Sequence, residues 1–265
     1  MAELGNIIVC LKVVPKPEEV RLDPETKTVD RSRATNEINP PDKNALEEAL
    51  RIKDKYGGRV VVVSMGPPFW EPYLKLAVAM GADDAVLVSD RALAGSDTLP
   101  TTLALAKAIQ KIGNYSMILC GEESSDGSTG QVPPGIAEWL GIPHVTFVSK
   151  IVEVKDNKAV IQRTIKGGHE VLEVEIPFVA AIELGANTPR FPDFRRKRWA
   201  EREFKPKVWN IADLGLKPEE VGFSGSATSV VDLQEVKPPE RMKKILTGSP
   251  EEVAEELAKA ILEEL

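Results

Sequence analysis

Strand-forming and helix-forming runs take turns along residues 6–140, and that alternation restricts the fold more than any single motif does. Residues 6–14 (N-I-I-V-C-L-K-V-V) form a nearly unbroken β-branched run of the kind that fills a parallel strand buried on both faces. Asp42 is placed to cap a helix over 43–56, on which Leu46, Ala49, Leu50 and the stem of Lys53 share one face. A second strand, 59–65, stops at Gly66-Pro67, and a helix over 74–80 stops at Gly81. A third strand follows at 84–89, a third helix at 98–112 and a fourth strand at 115–120. Four such alternations predict an α/β fold, a Rossmann-like doubly wound parallel sheet with helices on both faces. Ligands of such sheets bind outside the carboxyl ends of the strands. Here those ends fall near residues 10–15, 65–68, 90–98 and 121–131, all in loops rich in Gly, Pro, Ser or Asp.

The connection from Val14 to Pro41 exceeds an ordinary βα loop and predicts structure of its own. Val20-Arg-Leu22 and Thr28-Val29, around Asp23-Pro24, read as a small hairpin. From residue 151 the period changes to two. Residues 151–154, 159–164 and 171–176 alternate, with turns at Asp156-Asn157 and Gly167-Gly168, which predicts an antiparallel hairpin patch. Residues 178–184 then return to the main sheet. Little periodicity and much Pro, Gly and Ser mark 208–248 as an extended C-terminal arm, lying on its own domain or on a partner. Ser249-Pro-Glu-Glu252 is a capping box. The helix behind it sets Val253, Ala254, Leu257, Ala258, Ile261, Leu262 and Leu265 on one face, to pack on a partner or back on the chain.

Chemistry concentrates after the fourth strand. Residues 120–140 read C-G-E-E-S-S-D-G-S-T-G-Q-V-P-P-G-I-A-E-W-L: a strand end, a Gly/Ser/Thr loop and the start of an apolar-patterned helix. That arrangement receives phosphates. Backbone N–H groups of Gly127, Ser128 and Gly130 can turn toward an anion, Ser128 and Thr129 add hydroxyls, and the helix adds its partial positive charge. Pro133 and Pro134 suit a first helical turn, where a missing N–H costs nothing. The loop matches neither G-x-G-x-x-G nor G-x-x-x-x-G-K-[ST], so an ordinary surface turn stays open as the alternative.

Composition excludes several classes. Lys+Arg 34 against Asp+Glu 41 leaves a net charge of −7 over 265 residues, which argues against nucleic acid as a partner. No apolar run is long enough to span a bilayer, and Met1-Ala-Glu-Leu lacks the basic-then-apolar pattern of a signal peptide. Cys10 and Cys120 sit in strand-like runs, a cytosolic usage without a disulfide framework. His144 and His169 stand apart from them, so no metal site is expected. No nucleophile–base pair or carboxylate dyad stands out, and no catalytic residue is assigned. Residues 187–207 carry Arg190, Arg195, Arg196, Lys197, Arg198, Arg202, Lys205 and Lys207 among Phe191, Phe194, Trp199 and Phe204. A solvated helix face over packed aromatics and a docking surface for an acidic protein both remain open.

Six motifs, in their order and spacing, resemble the β subunit of electron transfer flavoproteins over essentially the whole chain. They are Lys12-Val-Val-Pro15, Asn39-Pro-Pro-Asp42 before Ala45-Leu-Glu-Glu-Ala-Leu50, Ser64-Met-Gly-Pro67, Ala79-Met-Gly-Ala82, the loop of residues 126–134, and Asn187-Thr-Pro-Arg190. The resemblance implies a subunit paired with a homologous α subunit that holds the flavin passing electrons on, while the β subunit holds a second adenine nucleotide. The positions matching that second site are Cys10, Asn39, Pro40, Pro41, Asp42, Met65, Asp126, Gly127, Ser128, Thr129, Gly130, Gln131, Val132, Pro133 and Pro134. Asn39 is expected to present donors and an acceptor to an adenine edge. Asp126, whose carboxylate repels phosphate, is expected to turn outward, cap a turn or accept a ribose hydroxyl.

Asp126-Gly127-x-Thr129-x-Gln131-Val132 is similar to the electron-bifurcating branch of the family. There the β nucleotide is FAD, which takes hydride from NADH and divides the pair between a high-potential acceptor (quinone or acyl-CoA dehydrogenase side) and a low-potential ferredoxin or flavodoxin. In the simple carriers it is AMP, without a redox role. The chain departs from the common pattern at Glu122-Glu123-Ser124-Ser125 and at Pro133-Pro134. By position Phe194 matches an apolar side chain that anchors the partner dehydrogenase or quinone oxidoreductase, with Arg190, Arg195, Arg196 and Arg198 meeting an acidic rim. The implied organisation is a nucleotide-binding domain over 1–185, with its antiparallel patch at 151–177, then a recognition segment over 186–207. An arm and helix over 208–265 would pack on the partner subunit. A cytoplasmic location is implied, with membranes reached only through a quinone-reductase partner. A nucleotide-binding regulatory module resembling universal stress proteins is the alternative of another class, disfavoured by the length beyond residue 150.

Overall fold

Ile7, Ile8 and Val9 are fully buried in β1 (Asn6–Cys10), which lies at the middle of a nine-stranded sheet. The computed structural model describes residues 4–16, 21–22, 29–30, 35–229 and 243–264. In chain order the next elements are β2 (Val13–Pro15), β3 (Arg21–Leu22), β4 (Val29–Asp30), β5 (Asn36–Ile38), α1 (Pro40–Tyr56) and β6 (Arg59–Met65). Then come α2 (Glu71–Met80), β7 (Asp84–Val88), α3 (Thr98–Ile112), β8 (Tyr115–Gly121) and α4 (Val132–Leu140). The second half holds β9 (His144–Lys155), β10 (Lys158–Ile165), β11 (Gly168–Glu175), β12 (Phe178–Ile182), α5 (Phe194–Arg202), β13 (Lys207–Trp209), the one-turn α6 (Gly222–Gly225) and α7 (Pro250–Glu264).

The main sheet has the order β11-β10-β9-β12-β8-β1-β6-β7-β13. Strands β9, β12, β8, β1, β6, β7 and β13 run parallel to their neighbours in that row, and β10 and β11 extend it antiparallel. Alternate residues of the central strands face opposite ways. One set packs with Leu46, Leu50, Leu74 and Val78 of α1 and α2, the other with Ala104, Ala108, Ile109 and Ile136 of α3 and α4. From β1 the chain winds outward through β6 and β7, then returns on the other side through β8 and β12. The winding direction therefore reverses between β1 and β8, and a crevice opens outside their carboxyl ends.

Four expectations change. The run 6–14 is not one strand: after Cys10 it leaves the sheet, and β2 pairs antiparallel with β5 in a separate ribbon. The cause is local, because the Lys12 N–H donates to the Asp42 carboxylate at 2.7 Å and its carbonyl accepts from Asn39 N at 2.9 Å. Second, α1 starts at Pro40 rather than after Asp42, so Asp42 lies inside the first turn and caps nothing. Third, the patch begins at His144, seven residues early: β9 runs parallel to β12 first and antiparallel to β10 afterwards, bending through a bulge where Phe147 has φ 54. Fourth, residues 207–229 are no free arm. Trp209 O accepts from Ser89 N at 2.8 Å as β13 joins the sheet, and Ile211, Leu214, Leu216 and Val221 are buried against it.

The hairpin expected before Pro41 is present as β3 paired with β4; Val20, Asp23, Pro24 and Thr28 lie outside the described residues. Residues 230–242 of the expected arm and Leu265 also lie outside them. Helix α7 belongs to a second compact unit. Its capping box is formed: Ser249 N donates to the Glu252 carboxylate at 2.8 Å, and Glu252 N donates back to Ser249 Oγ at 3.3 Å.

Candidate nucleotide site

The crevice between β1 and β8 is organised by a buried carboxylate. Asp42 accepts from Lys12 N with one oxygen and from Gly121 N, at 3.0 Å, with the other, tying the ends of β1 and β8 to the start of α1. Burial pushes its pKa up to about 6, against the pull of those N–H donors, Asn39 and the Lys12 charge. Gly121 is required at this joint: a Cβ there would lie 2.4 Å from Asp42 Oδ1 and 2.7 Å from Pro41 Cβ. Cys10 ends β1 and Cys120 is the last residue but one of β8, both free and buried. The hydrogen bond with Cys10, then burial, then the nearby negative charges push the Cys120 thiol well up, so it stays protonated.

The loop after β8 is shaped by Asn39. Its amide nitrogen donates to Glu123 O at 2.8 Å, and its oxygen accepts from Ser125 N at 3.1 Å. Asn39 is 1% exposed, so both ends of the amide hold the loop and neither is presented to an adenine edge, a correction to the expectation above. Glu122 accepts from Leu184 N at 2.9 Å, and Ser124 O accepts from Gly127 N and Ser128 N. The residues that depart from the family pattern, 122–125, thus fold the loop. The Asp126 carboxylate pairs with the Lys12 ammonium, which also donates to Ser124 Oγ at 3.1 Å.

Beyond Gly127 the backbone makes a concavity. Ser128 (φ 44) and Gly130 (φ 61) alternate with residues of negative φ, the pattern that turns successive N–H groups to one side as an anion-binding nest. The N–H groups of Thr129 and Gly130 have no hydrogen-bond acceptor among the described residues. Thr98 Oγ1 bonds Gln131 Oε1 at 2.8 Å and fixes the loop to the start of α3. Pro133 and Pro134 occupy the first turn of α4, whose N-terminus closes the concavity. Met65 ends β6 at the same edge of the sheet, next to Ser64, whose buried hydroxyl lacks a partner among the described residues. These groups fit an adenine nucleotide: open N–H donors, a helix N-terminus and a cation for phosphate, a buried orphan hydroxyl for a polar edge. Sequence reasoning gave Lys12 no place in the site and read Asp42 as a cap and a site position; the buried joint they share is a tertiary feature without a local pattern.

The recognition segment is tied down by α1. Asn44 donates to Asn187 O at 2.6 Å, Asn187 donates to Glu48 Oε2, and Glu48 Oε1 accepts from Ile151 N at 3.1 Å. Arg190 lies on α1 through three bonds to Glu47, two from its guanidinium at 2.8 and 3.2 Å and one from its N–H at 3.1 Å, and through one to Asp54. Burial works against ionising Glu47, but Arg190 and Arg51 outweigh it and hold that carboxyl below its usual range. Arg196 donates to Val78 O at 2.6 Å and to Ala82 O, closing the C-terminus of α2. Two of the four arginines assigned to a partner are therefore engaged within the fold, while Arg195 and Arg198 are exposed. Phe191 is 94% and Phe194 77% exposed, on either side of Asp193, which caps α5 by accepting from Arg196 N at 2.8 Å.

No group of three or more His, Cys, Asp or Glu able to hold a metal occurs among the described residues, and no helix there is long and apolar enough to cross a membrane. The fold is a doubly wound α/β sheet with a Gly- and Ser-containing loop at the point where its winding reverses. The electron transfer flavoprotein domain family matches residues 26–213. An electron transfer flavoprotein subunit beta of Thermoanaerobacterium thermosaccharolyticum is 43% identical over 256 residues, covering 97% of each chain. The protein FixA of Azotobacter vinelandii is 41% identical over 257 residues, 94% of this chain and 91% of its own. The caffeyl-CoA reductase-Etf complex subunit CarD of Acetobacterium woodii is 41% identical over 226 residues, 85% and 86% of the two chains. The chain belongs to the electron transfer flavoprotein family, as a β subunit. Membership implies association with a flavin or nucleotide, an α-subunit partner and redox partners.

Proposed function

We propose that this β subunit holds FAD in the β1/β8 crevice and, with its α subunit, takes electrons from NADH and bifurcates them to a high-potential and a low-potential acceptor. The observation that carries the reading is the loop itself. Gly127 leaves open the space beside Lys12, the nest N–H groups of Thr129 and Gly130 have no acceptor among the described residues, and Asp126 is paired with Lys12. A diphosphate needs that combination of room and positive potential, whereas a second acid at 127 would oppose it.

When bound, the flavin supplies the hydride and single-electron chemistry, which no side chain of this protein can. The chain's own residues bind and orient. Thr129, Gly130 and Lys12 would hold the phosphates, with Ser128 and Thr129 adding hydroxyls. The Asp42 joint keeps the two strand ends at a fixed separation, so the crevice is formed before the ligand arrives. Cys10, Pro41 and Met65 would line the adenine end, and the protonated Cys120 beneath them adds no charge. Phe194, with Arg195 and Arg198 beside it, would dock an acceptor such as an acyl-CoA dehydrogenase or quinone reductase. A relative named as a subunit of a caffeyl-CoA reductase–Etf complex supports that kind of partner.

Cofactors released from the purified heterodimer test this reading. Two FAD per heterodimer are expected; one FAD and one AMP would return the simple-carrier alternative instead. A Cβ at Gly127 would meet Ser124 Oγ at 3.3 Å and Lys12 Nζ at 3.9 Å, so an acid fits there without refolding the loop. Gly127→Asp should accordingly lose the β-side FAD and keep the fold. Retention of both flavins in that variant would remove the diphosphate assignment.

A further inference from the structure

We propose that Lys12 is the phosphate-recognising cation of the crevice, and that it exchanges the Asp126 carboxylate for the phosphate when nucleotide binds; this rests on the nucleotide reading above. Its backbone is fixed from both sides, the N–H on Asp42 Oδ2 and the carbonyl on Asn39 N. The Cα therefore cannot drift, and the side chain has to cross from the end of β1 toward the loop after β8. The ammonium ends on Ser124 Oγ and Asp126 Oδ1, beside the bare Cα of Gly127. It thereby brings a cation to a loop that otherwise carries Glu122, Glu123 and Asp126.

The pair is built to exchange. The Lys12 side chain is 42% exposed against 13% for Asp126, so the ammonium keeps much of its hydration and the pair is only partly desolvated. The diphosphate of FAD carries two negative charges against the one of a carboxylate, as does the monophosphate of AMP, and either group accepts several hydrogen bonds at once. Beside it lie the open N–H groups of Thr129 and Gly130. Lys12 can leave Asp126 by side-chain rotation alone, because the Asp42 and Asn39 bonds hold only its backbone. Asp126 thus serves to aim the ammonium before the ligand arrives, which explains an acid next to a phosphate loop.

Calorimetry on the heterodimer, freed of its β-side nucleotide and compared as wild type, Lys12→Gln and Lys12→Arg, separates this role from a structural one. The probes are adenosine and AMP, each at low and high salt. Wild type should prefer AMP over adenosine, and Lys12→Gln should lose about tenfold to hundredfold in AMP affinity, as removal of a charged hydrogen bond does. Adenosine affinity should not change, the salt sensitivity of AMP binding should flatten, and Lys12→Arg should recover most of the preference. Equal AMP affinity in wild type and Lys12→Gln would overturn the role of Lys12 while leaving the site intact. A parallel loss for adenosine and AMP would overturn it too, by marking Lys12 as a structural prop. Wild type binding neither probe would instead refute the nucleotide reading, and Lys12 with it.

Discussion

Asp42 is the residue whose chemistry most shapes the crevice, and its pKa gives a signed test. A carboxyl raised from 3.8 to about 6 on folding binds more protons in the native than in the unfolded state across that interval. Stability from this group is thus complete below pH 4 and is lost as the pH rises through 6, by roughly 3 kcal/mol if burial acts in full. Asp42→Asn does not titrate. Denaturant unfolding of both proteins from pH 4 to 7 should show wild type losing ground to the variant as pH rises. A constant gap, or one of opposite slope, would mean that Asp42 stays ionised in the folded state. At this scale the sequence was uneven in what it disclosed. The tight turn of residues 127–130 was readable from its Gly and Ser, but the N–H groups of Gly127 and Ser128, expected to face an anion, donate to Ser124 O instead. Asn39 was named for the site and Lys12 for a family motif, but their hold on the loop was not legible, since a lysine or an asparagine looks the same whether it faces water or a loop 112 or 84 residues away.

Among the elements, α1 does the most joining. Five of the buried polar residues, Asn39, Asp42, Asn44, Glu47 and Glu48, lie at its start or in its first half. Through them one helix touches the loop after β8, the bulged strand β9 and the segment leading to α5. Arg190→Ala leaves the buried Glu47 carboxylate with Arg51 and the N–H of residue 190 but without the guanidinium, at a cost of about 2–4 kcal/mol. Hydrogen exchange over residues 186–199 should then speed up while flavin content holds. Unchanged exchange in that segment would show that Arg190 does not position it. Helices and central strands were legible because burial on one or two faces leaves a period. β9 was half hidden because its bulge at Phe147 breaks alternation where the strand changes partners. β13 was missed because the buried residues around it, Ile211, Leu214, Leu216 and Val221, follow turns rather than a repeat.

At the scale of the whole molecule, strand order does what no motif does alone. Parallel neighbours on either side of β1, wound in opposite directions, put Lys12 and the 122–134 loop on facing lips of one crevice. The alternating pattern foretold the sheet, but not that β1 and β8 would be adjacent, since strand order depends on which surfaces pack best after collapse. The account therefore reduces to what occupies that crevice when both subunits are together. Solving the structure of the purified heterodimer with its native cofactors is the direct measurement. Density for a diphosphate against residues 127–132, with Lys12 turned to it, is the predicted result. A crevice without nucleotide, in an assembly whose α-subunit flavin is fully bound, would contradict it.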